Sequence, residues 1–303
     1  MTVTTSVKKN FPGVHFMLPT PFVNGGDIDY SSFNTLISHA VKSGCSGVVT
    51  LGVMGEANRM LESERDKVIE YIVNSVNNRI EVIVGVSSDS TIILKSRIRS
   101  AQNLGASAIM ACPSRLSKPN ENAISNYFNA AQETSNIPIV LQDLPTESGV
   151  HLSAELISKL CDNFPLIQML KLEDPPTPPK ISSILKTTNK KILVFGGLGG
   201  VFFLEELGRG AAGTMTGFAY PEILTSIYKK VISGDLDSAR DLFFQWLPLI
   251  RYENSAGISL SIRKHIMKFR GLIEDASVRE PTPNIDDFTL NELLNLLSSM
   301  RLK

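Results

Sequence analysis

Eight short apolar runs punctuate the chain at fairly regular intervals. They are VHFML (14–18), SGVVTLG (46–52), IEVIVGVSS (80–88), ASAIMACP (106–113), IPIVLQDLP (137–145), PLIQMLK (165–171), KILVFGG (191–197) and AAGTMTG (211–217). Each is nearly continuous in its apolar character, and most close on Gly, Pro or Ser. Strands buried on both faces of a parallel sheet have this pattern, whereas half-exposed strands alternate.

The stretches between the runs carry the helical period. Residues 30–43 place Phe33, Leu36, Ile37, Ala40 and Val41 at three-and-four spacing, and Gly44 follows as a stop signal. Residues 62–77 begin with acidic side chains around Ser63, favourable at the positive end of a helix dipole. Residues 153–161 open on Ser153 and Glu155 ahead of Leu156, Ile157 and Leu160. A strand and a helix alternating eight times predict a (β/α)8 TIM barrel, class α/β, spanning residues 1–221. Order alone does not establish closure, so a doubly wound open sheet is the alternative. Its dinucleotide fingerprint is missing, because GGLGG (196–200) has the wrong spacing. Helical stretches at about 222–233, 236–250, 255–270 and 289–300 predict a C-terminal helical domain over 222–303, packed on the barrel. Phe243, Phe244, Trp246, Leu247 and Ile250 read as its packing face, toward the barrel or a sister subunit.

Composition narrows the class. At 303 residues with 43% hydrophobic, the chain is long and apolar enough for a sizeable core. Thirty Lys and Arg balance thirty Asp and Glu, so no global charge draws it to nucleic acid or anionic lipid. No apolar run approaches the ~18 residues of a membrane-spanning helix. Lys8 and Lys9 precede FPGVHFMLPTPF, which Pro and His break, making a poor signal-peptide core. Cys45, Cys112 and Cys161 lack CxxC spacing, which argues against a disulfide framework and a zinc site. The four histidines show no metal-ligand spacing either. These readings predict a cytoplasmic protein without a catalytic metal.

In such barrels the chemistry lies at the carboxyl ends of the strands. That rule nominates Thr20, Val53 to Glu56, Ser87, Cys112 to Arg115, Gln142 and Asp143, Lys171 to Asp174, Gly196 to Gly200, and Thr214 to Gly217. Lys171 ends an apolar run, where a lysine losing its hydration is a candidate nucleophilic amine. A lysine leaving the strand for solvent is the alternative. Two places on, Glu173 falls on the same face by strand alternation and could hold charge or move protons. A surface ion pair would have the same spacing. DPPTPPK (174–180), with four prolines, is read as a stiff non-helical loop. The glycine-flanked turn GVMGE (52–56) presents backbone N–H groups suited to a carboxylate.

Six motifs in order carry a resemblance: PTPF (19–22), GVMGE (52–56) with LESER (61–65), QDLP (142–145), MLKLED (169–174), GAAGTMTG (210–217) and REP (279–281). On these the chain resembles the dihydrodipicolinate synthase and N-acetylneuraminate lyase family along nearly its whole length. The resemblance implies a barrel with a C-terminal helical domain, assembled as a homotetramer. It implies a lysine imine with a small 2-oxo acid such as pyruvate and no separate cofactor. Lys171 stands in that lysine's place, and the N–H groups of Val53 and Met54 stand in the 2-oxo-acid seat.

The chain also departs from the family. The usual GTTGE is GVMGE here, so a relay threonine is Val53. The relay tyrosine expected at Gln142 is absent, as is the one expected near Ser114 and Arg115. The arginine that follows the fifth strand in dihydrodipicolinate synthases is Glu147. With Glu173 just after the lysine, the pattern is similar to the sugar-acid branch that includes 2-keto-3-deoxy-L-arabonate dehydratase. That branch can place an asparagine where this chain has Gly196 and Gly197. The expected catalytic pair is Lys171 and Glu173. The expected substrate contacts are Thr20, Val53, Met54, Gly55, Glu56, Gln142, Asp143, Gly197 and Thr214. The implied function is a Schiff-base dehydratase or aldolase for a 2-keto-3-deoxy sugar acid. The alternatives are a true synthase, a hydroxy-pyrroline-carboxylate deaminase, or a 2-oxo-acid binder without turnover.

Overall fold

In the computed structural model, which describes residues 11–23 and 26–302, the predicted alternation closes on itself. Lys8 and Lys9 lie outside the described residues. The strands are β1 (Gly13–Met17), β2 (Phe22–Val23), β3 (Asp27–Ile28), β4 (Gly47–Thr50), β5 (Glu81–Gly85), β6 (Ala108–Ala111), β7 (Ile139–Asp143), β8 (Ile167–Leu172), β9 (Leu193–Gly196) and β10 (Gly213–Thr216). All but β2 and β3 form a closed parallel barrel in the order β1-β10-β9-β8-β7-β6-β5-β4, with β4 paired back to β1. β2 and β3 make a small antiparallel ribbon after β1. Closure excludes the doubly wound alternative.

Strand alternation explains why the runs are apolar throughout. Met17, Val49, Ile83, Met110, Val140, Met169, Phe195 and Met215 fill the barrel interior. Their neighbours Phe16, Val48, Val84, Ile109, Leu141, Leu170 and Val194 pack outward against the helices. Four of the interior side chains are methionines, whose unbranched thioethers fill irregular space. His15 is also fully buried, and a Cβ at Gly47 would lie 2.5 Å from its Nδ1, so glycine is required beside it. Burial lowers the His15 pKa to about 4, against the opposing pull of its 2.6 Å bond to Phe11 O. The ring is therefore neutral at physiological pH.

Helices Tyr30–Lys42, Glu62–Val76, Thr91–Asn103, Glu121–Thr134, Ala154–Asn163, Thr177–Thr187, Phe203–Gly208 and Pro221–Ile232 alternate with the barrel strands. Asp29 caps the first by accepting from the N–H groups of Ser31 and Ser32, and Ser153 caps the fifth by accepting from Leu156 N. The expectation of a non-helical 174–180 is corrected here. Pro178 and Pro179 lie in the first turn of Thr177–Thr187, where a missing N–H and a fixed φ are compatible with helix.

Helices Leu236–Glu253, Ser259–Phe269 and Asp287–Ser299 form the C-terminal part. Phe243, Trp246 and Ile250 are buried, whereas Phe244 is exposed. All three cysteines are buried, and desolvation pushes each thiol up to about 12. Among the described residues, no helix is long and apolar enough to cross a membrane.

Candidate active site

β8 (IQMLKL) is buried along its whole length and delivers Lys171 to the barrel interior at its carboxyl end. Glu173 follows two residues later, and its N–H donates to Asp143 O at 2.9 Å, extending the β7–β8 ladder by one more bond. The alternation therefore holds past the formal strand end and brings both side chains to one side. Lys171 Nζ lies 3.0 Å from Glu173 Oε2, with both side chains at least nine-tenths buried. Nζ is also 3.2 Å from the Met17 thioether across the barrel. Gln142, on the inward face of β7, donates from Nε2 to Glu173 Oε2 at 2.7 Å. The second Glu173 oxygen is 3.5 Å from Leu198 N. This carboxylate is anchored on both oxygens while it touches the lysine.

Gly197 is the reason Glu173 fits. A Cβ there would stand 2.4 Å from Glu173 Cγ and 2.6 Å from its Oε1. On the other face of the same strand end, a Cβ at Gly196 would overlap a carboxylate oxygen of Glu206. Glu206 is buried and accepts from Thr177 Oγ1 at 2.6 Å. Burial pushes its carboxyl up to about 7, and Glu173 nearby adds to the rise. Two adjacent glycines thus let carboxylates close on β9 from both sides.

The turn after β4 is held from three directions. Thr20 Oγ1 donates to Gly55 O at 2.7 Å. Lys264 Nζ pairs with Glu56 Oε1 at 2.7 Å, both side chains fully buried, and Arg279 N donates to the other oxygen at 2.8 Å. The Arg279 guanidinium continues to both oxygens of Glu64 at 2.8 Å. PTPF, GVMGE, LESER and REP, far apart in sequence, meet here. The bonds within the turn use the N–H groups of Gly55 and Glu56, and those of Val53 and Met54 take no part in them.

A cavity of about 160 Å³ opens above Lys171. Of the strand-end residues nominated from sequence, Val53, Met54, Lys171, Glu173, Leu198, Gly199, Met215, Thr216 and Gly217 line it. Gln142 stands behind Glu173, and Gly197 beside it. Thr20, Gly55 and Glu56 brace the turn without lining the cavity. Asp143 faces away from Gln142 by alternation and pairs with Lys180 at 2.6 Å; burial pushes its carboxyl up to about 6 against that pairing. Thr214 is turned outward, because its neighbour Met215 takes the interior position, and its hydroxyl bonds Gly196 O. Thr216 and Gly217 reach the cavity in its place. Glu147 lines the wall after β7, and no tyrosine does so among the described residues.

Sequence reasoning missed Arg263, Asn254 and Ser259, which line the cavity from the C-terminal helices. Arg263 is buried, with Nε 3.2 Å from Glu253 Oε1 and Nη2 donating to Asn254 Oδ1 at 3.2 Å. No strand-end rule points to them, because they belong to no strand.

Comparison with known proteins bears on the family and the fold. The model of the dihydrodipicolinate synthetase family matches residues 10–300. An L-2-keto-3-deoxyarabonate dehydratase of Azospirillum brasilense is 29% identical over 296 residues, covering 96% of this chain and 95% of that protein. A 4-hydroxy-tetrahydrodipicolinate synthase of Methanocaldococcus jannaschii is 28% identical over 243 residues, covering 80% and 82%. The crystal structure of a dihydrodipicolinate synthase from Rhodopseudomonas palustris superimposes with a TM-score of 0.91 at 32% identity, covering 96% of this chain and 98% of that one. The chain belongs to the dihydrodipicolinate synthetase family, and is a lyase by that membership.

Proposed function

We propose that the protein is a dehydratase of 2-keto-3-deoxy sugar acids working through an imine at Lys171. The observation that carries this reading is the buried Lys171–Glu173 contact of 3.0 Å at the floor of the cavity. The amine attacks the C2 carbonyl of the substrate, and water leaves as the imine forms. The iminium withdraws electrons from C3, whose proton passes to Glu173. The resulting enamine expels the β-hydroxyl, which leaves as water once protonated, and hydrolysis of the imine frees the lysine and the product. Gln142 fixes Glu173 in place for this transfer. The similarity to the Azospirillum brasilense dehydratase supports this substrate class.

A synthase that condenses pyruvate with aspartate semialdehyde is the second reading, favoured by the names of several relatives. Among the described residues no tyrosine lines the cavity, which weighs against it. The test is a panel of 2-keto-3-deoxy acids with products read by mass spectrometry, alongside pyruvate with aspartate semialdehyde. Loss of one water from a panel member is expected, with little or no condensation. Condensation without dehydration would overturn the assignment. Assembly as a homotetramer belongs to the same reading; exposed Ile92, Ile93 and Leu116 supply apolar surface away from the cavity.

A further inference from the structure

Arg263 reaches the cavity wall from helix Ser259–Phe269 while only 6% exposed. Its donors are unevenly used. Nε faces Glu253 and Nη2 faces Asn254, but Nη1 donates to the thioether of Met54 at 3.3 Å. A thioether is a weak acceptor, so Nη1 keeps capacity for an oxygen anion. Met54 also carries one of the two N–H groups left outside the bonds of the 52–56 turn. The guanidinium thus contacts the side chain of the residue that carries that N–H, and both residues line the cavity. Gly199 leaves room for the group, since a Cβ there would lie 2.7 Å from Nη2 and 2.8 Å from Asn254 Oδ1.

Charge accounting points the same way. Among the described residues, Lys171 and Arg263 are the cationic side chains lining the cavity. The iminium at Lys171 keeps one positive charge, but Glu173 lies 3.0 Å from that nitrogen, so a substrate carboxylate buried beside them calls for a second cation, because an unpaired buried charge is strongly disfavoured. Burial pushes the Glu253 carboxyl up to about 7. Near neutrality, part of the population carries a proton on Glu253, leaving the guanidinium charge available to a ligand. We propose that Arg263 binds the 1-carboxylate of the 2-oxo acid, together with the backbone N–H groups of Val53 and Met54, and so selects 2-oxo acids over neutral carbonyl compounds. This rests on the imine reading above.

The test uses the full chain and borohydride trapping, read by intact mass, with pyruvate and with its uncharged methyl ester. In Arg263→Gln the half-saturating pyruvate concentration should rise roughly tenfold or more, as expected for loss of charge-assisted hydrogen bonds. The methyl ester should change less than about threefold, and Arg263→Lys should recover part of the loss. Equal changes for both ligands, or no change for either, would overturn the proposal. So would unchanged pyruvate trapping with a raised KM for the best sugar acid, since Arg263 would then read the far end of the substrate. The double variant Arg263→Gln/Glu253→Gln removes the buried partner charge as well, so a folding failure of the single variant does not block the measurement. Calorimetric binding of lactate needs no imine and separates the two readings. Lactate binding that depends on Arg263, without any label on wild-type Lys171, keeps the carboxylate site and ends the imine. Labelling of Lys171 with the same half-saturation in wild type and variants does the reverse.

Discussion

Lys171 and Glu173 come from a single strand end, two residues apart, whereas Asn254 and Arg263 come from the end of one helix and the middle of the next. Both pairs border one cavity, and both combine a positive group with an oxygen acceptor. The strand pair needs only the two-residue period of an extended chain to meet. The helix pair needs the C-terminal helices to dock over the barrel mouth and Glu253 to hold the guanidinium from below. A strand carries sequence spacing directly into space, while a helix contributes to a site only through its packing. In the proposed scheme the two pairs also divide the work: the first makes and breaks bonds, and the second holds the substrate's charge.

The largest effect should come from Lys171→Arg, which keeps the charge without a usable free amine. Borohydride with pyruvate should label the wild type at Lys171 and leave the variant unlabelled. A label on another lysine would remove the strand pair from the chemistry. Glu173→Gln is expected to keep trapping intact and lower turnover by roughly 10²-fold or more, the usual worth of a general acid–base group. Wild-type turnover in that variant would reduce the carboxylate to a structural contact. Gly197→Ala tests the same carboxylate without altering it. The added methyl must displace Glu173, so turnover should fall by roughly tenfold or more while Lys171 still labels.

The smallest effect concerns the opposite face of β9. The Glu206 carboxyl titrates at about 7 in the fold, above its ordinary 4.5. The folded protein holds a proton that the unfolded chain has released, so this group lowers stability as pH rises between those values, with the full cost above about 7. Glu206→Gln should therefore stabilise the protein by up to roughly 3 kcal/mol near pH 8, with the gain fading toward pH 4. Thermal melts across that range would show it, and a gain that is the same at both ends would exclude burial of this charge as the cause.

The barrel was legible because its strands bury both faces, which leaves unbroken apolar runs that few other structures require. Lys171 and Glu173 were legible for the related reason that alternation survives one residue beyond β8. Thr214 shows the limit of the strand-end rule: Met215 takes the inner position beside it, and the threonine that borders the cavity is Thr216, two residues further along the strand. Glu56 shows another. A glutamate after a glycine-flanked turn looks like a ligand contact until Lys264 and Arg279, more than 200 positions away, are seen to occupy both its oxygens. The prolines of 174–180 misled because a helix tolerates them in its first turn, and that depends on where the helix begins.

The same Glu56 bears on the order in which the molecule is built. Its carboxylate is fully buried, and its partners are supplied by residues 264 and 279. A ribosome delivers those residues only after all eight barrel strands have emerged. Until they arrive the turn holds an uncompensated charge, so the loop that presents Val53 and Met54 cannot settle when its own strand pairs. The mouth of the barrel is finished by segments that follow the barrel in the chain, so the loop that presents Val53 and Met54 settles only after residues 264 and 279 have emerged.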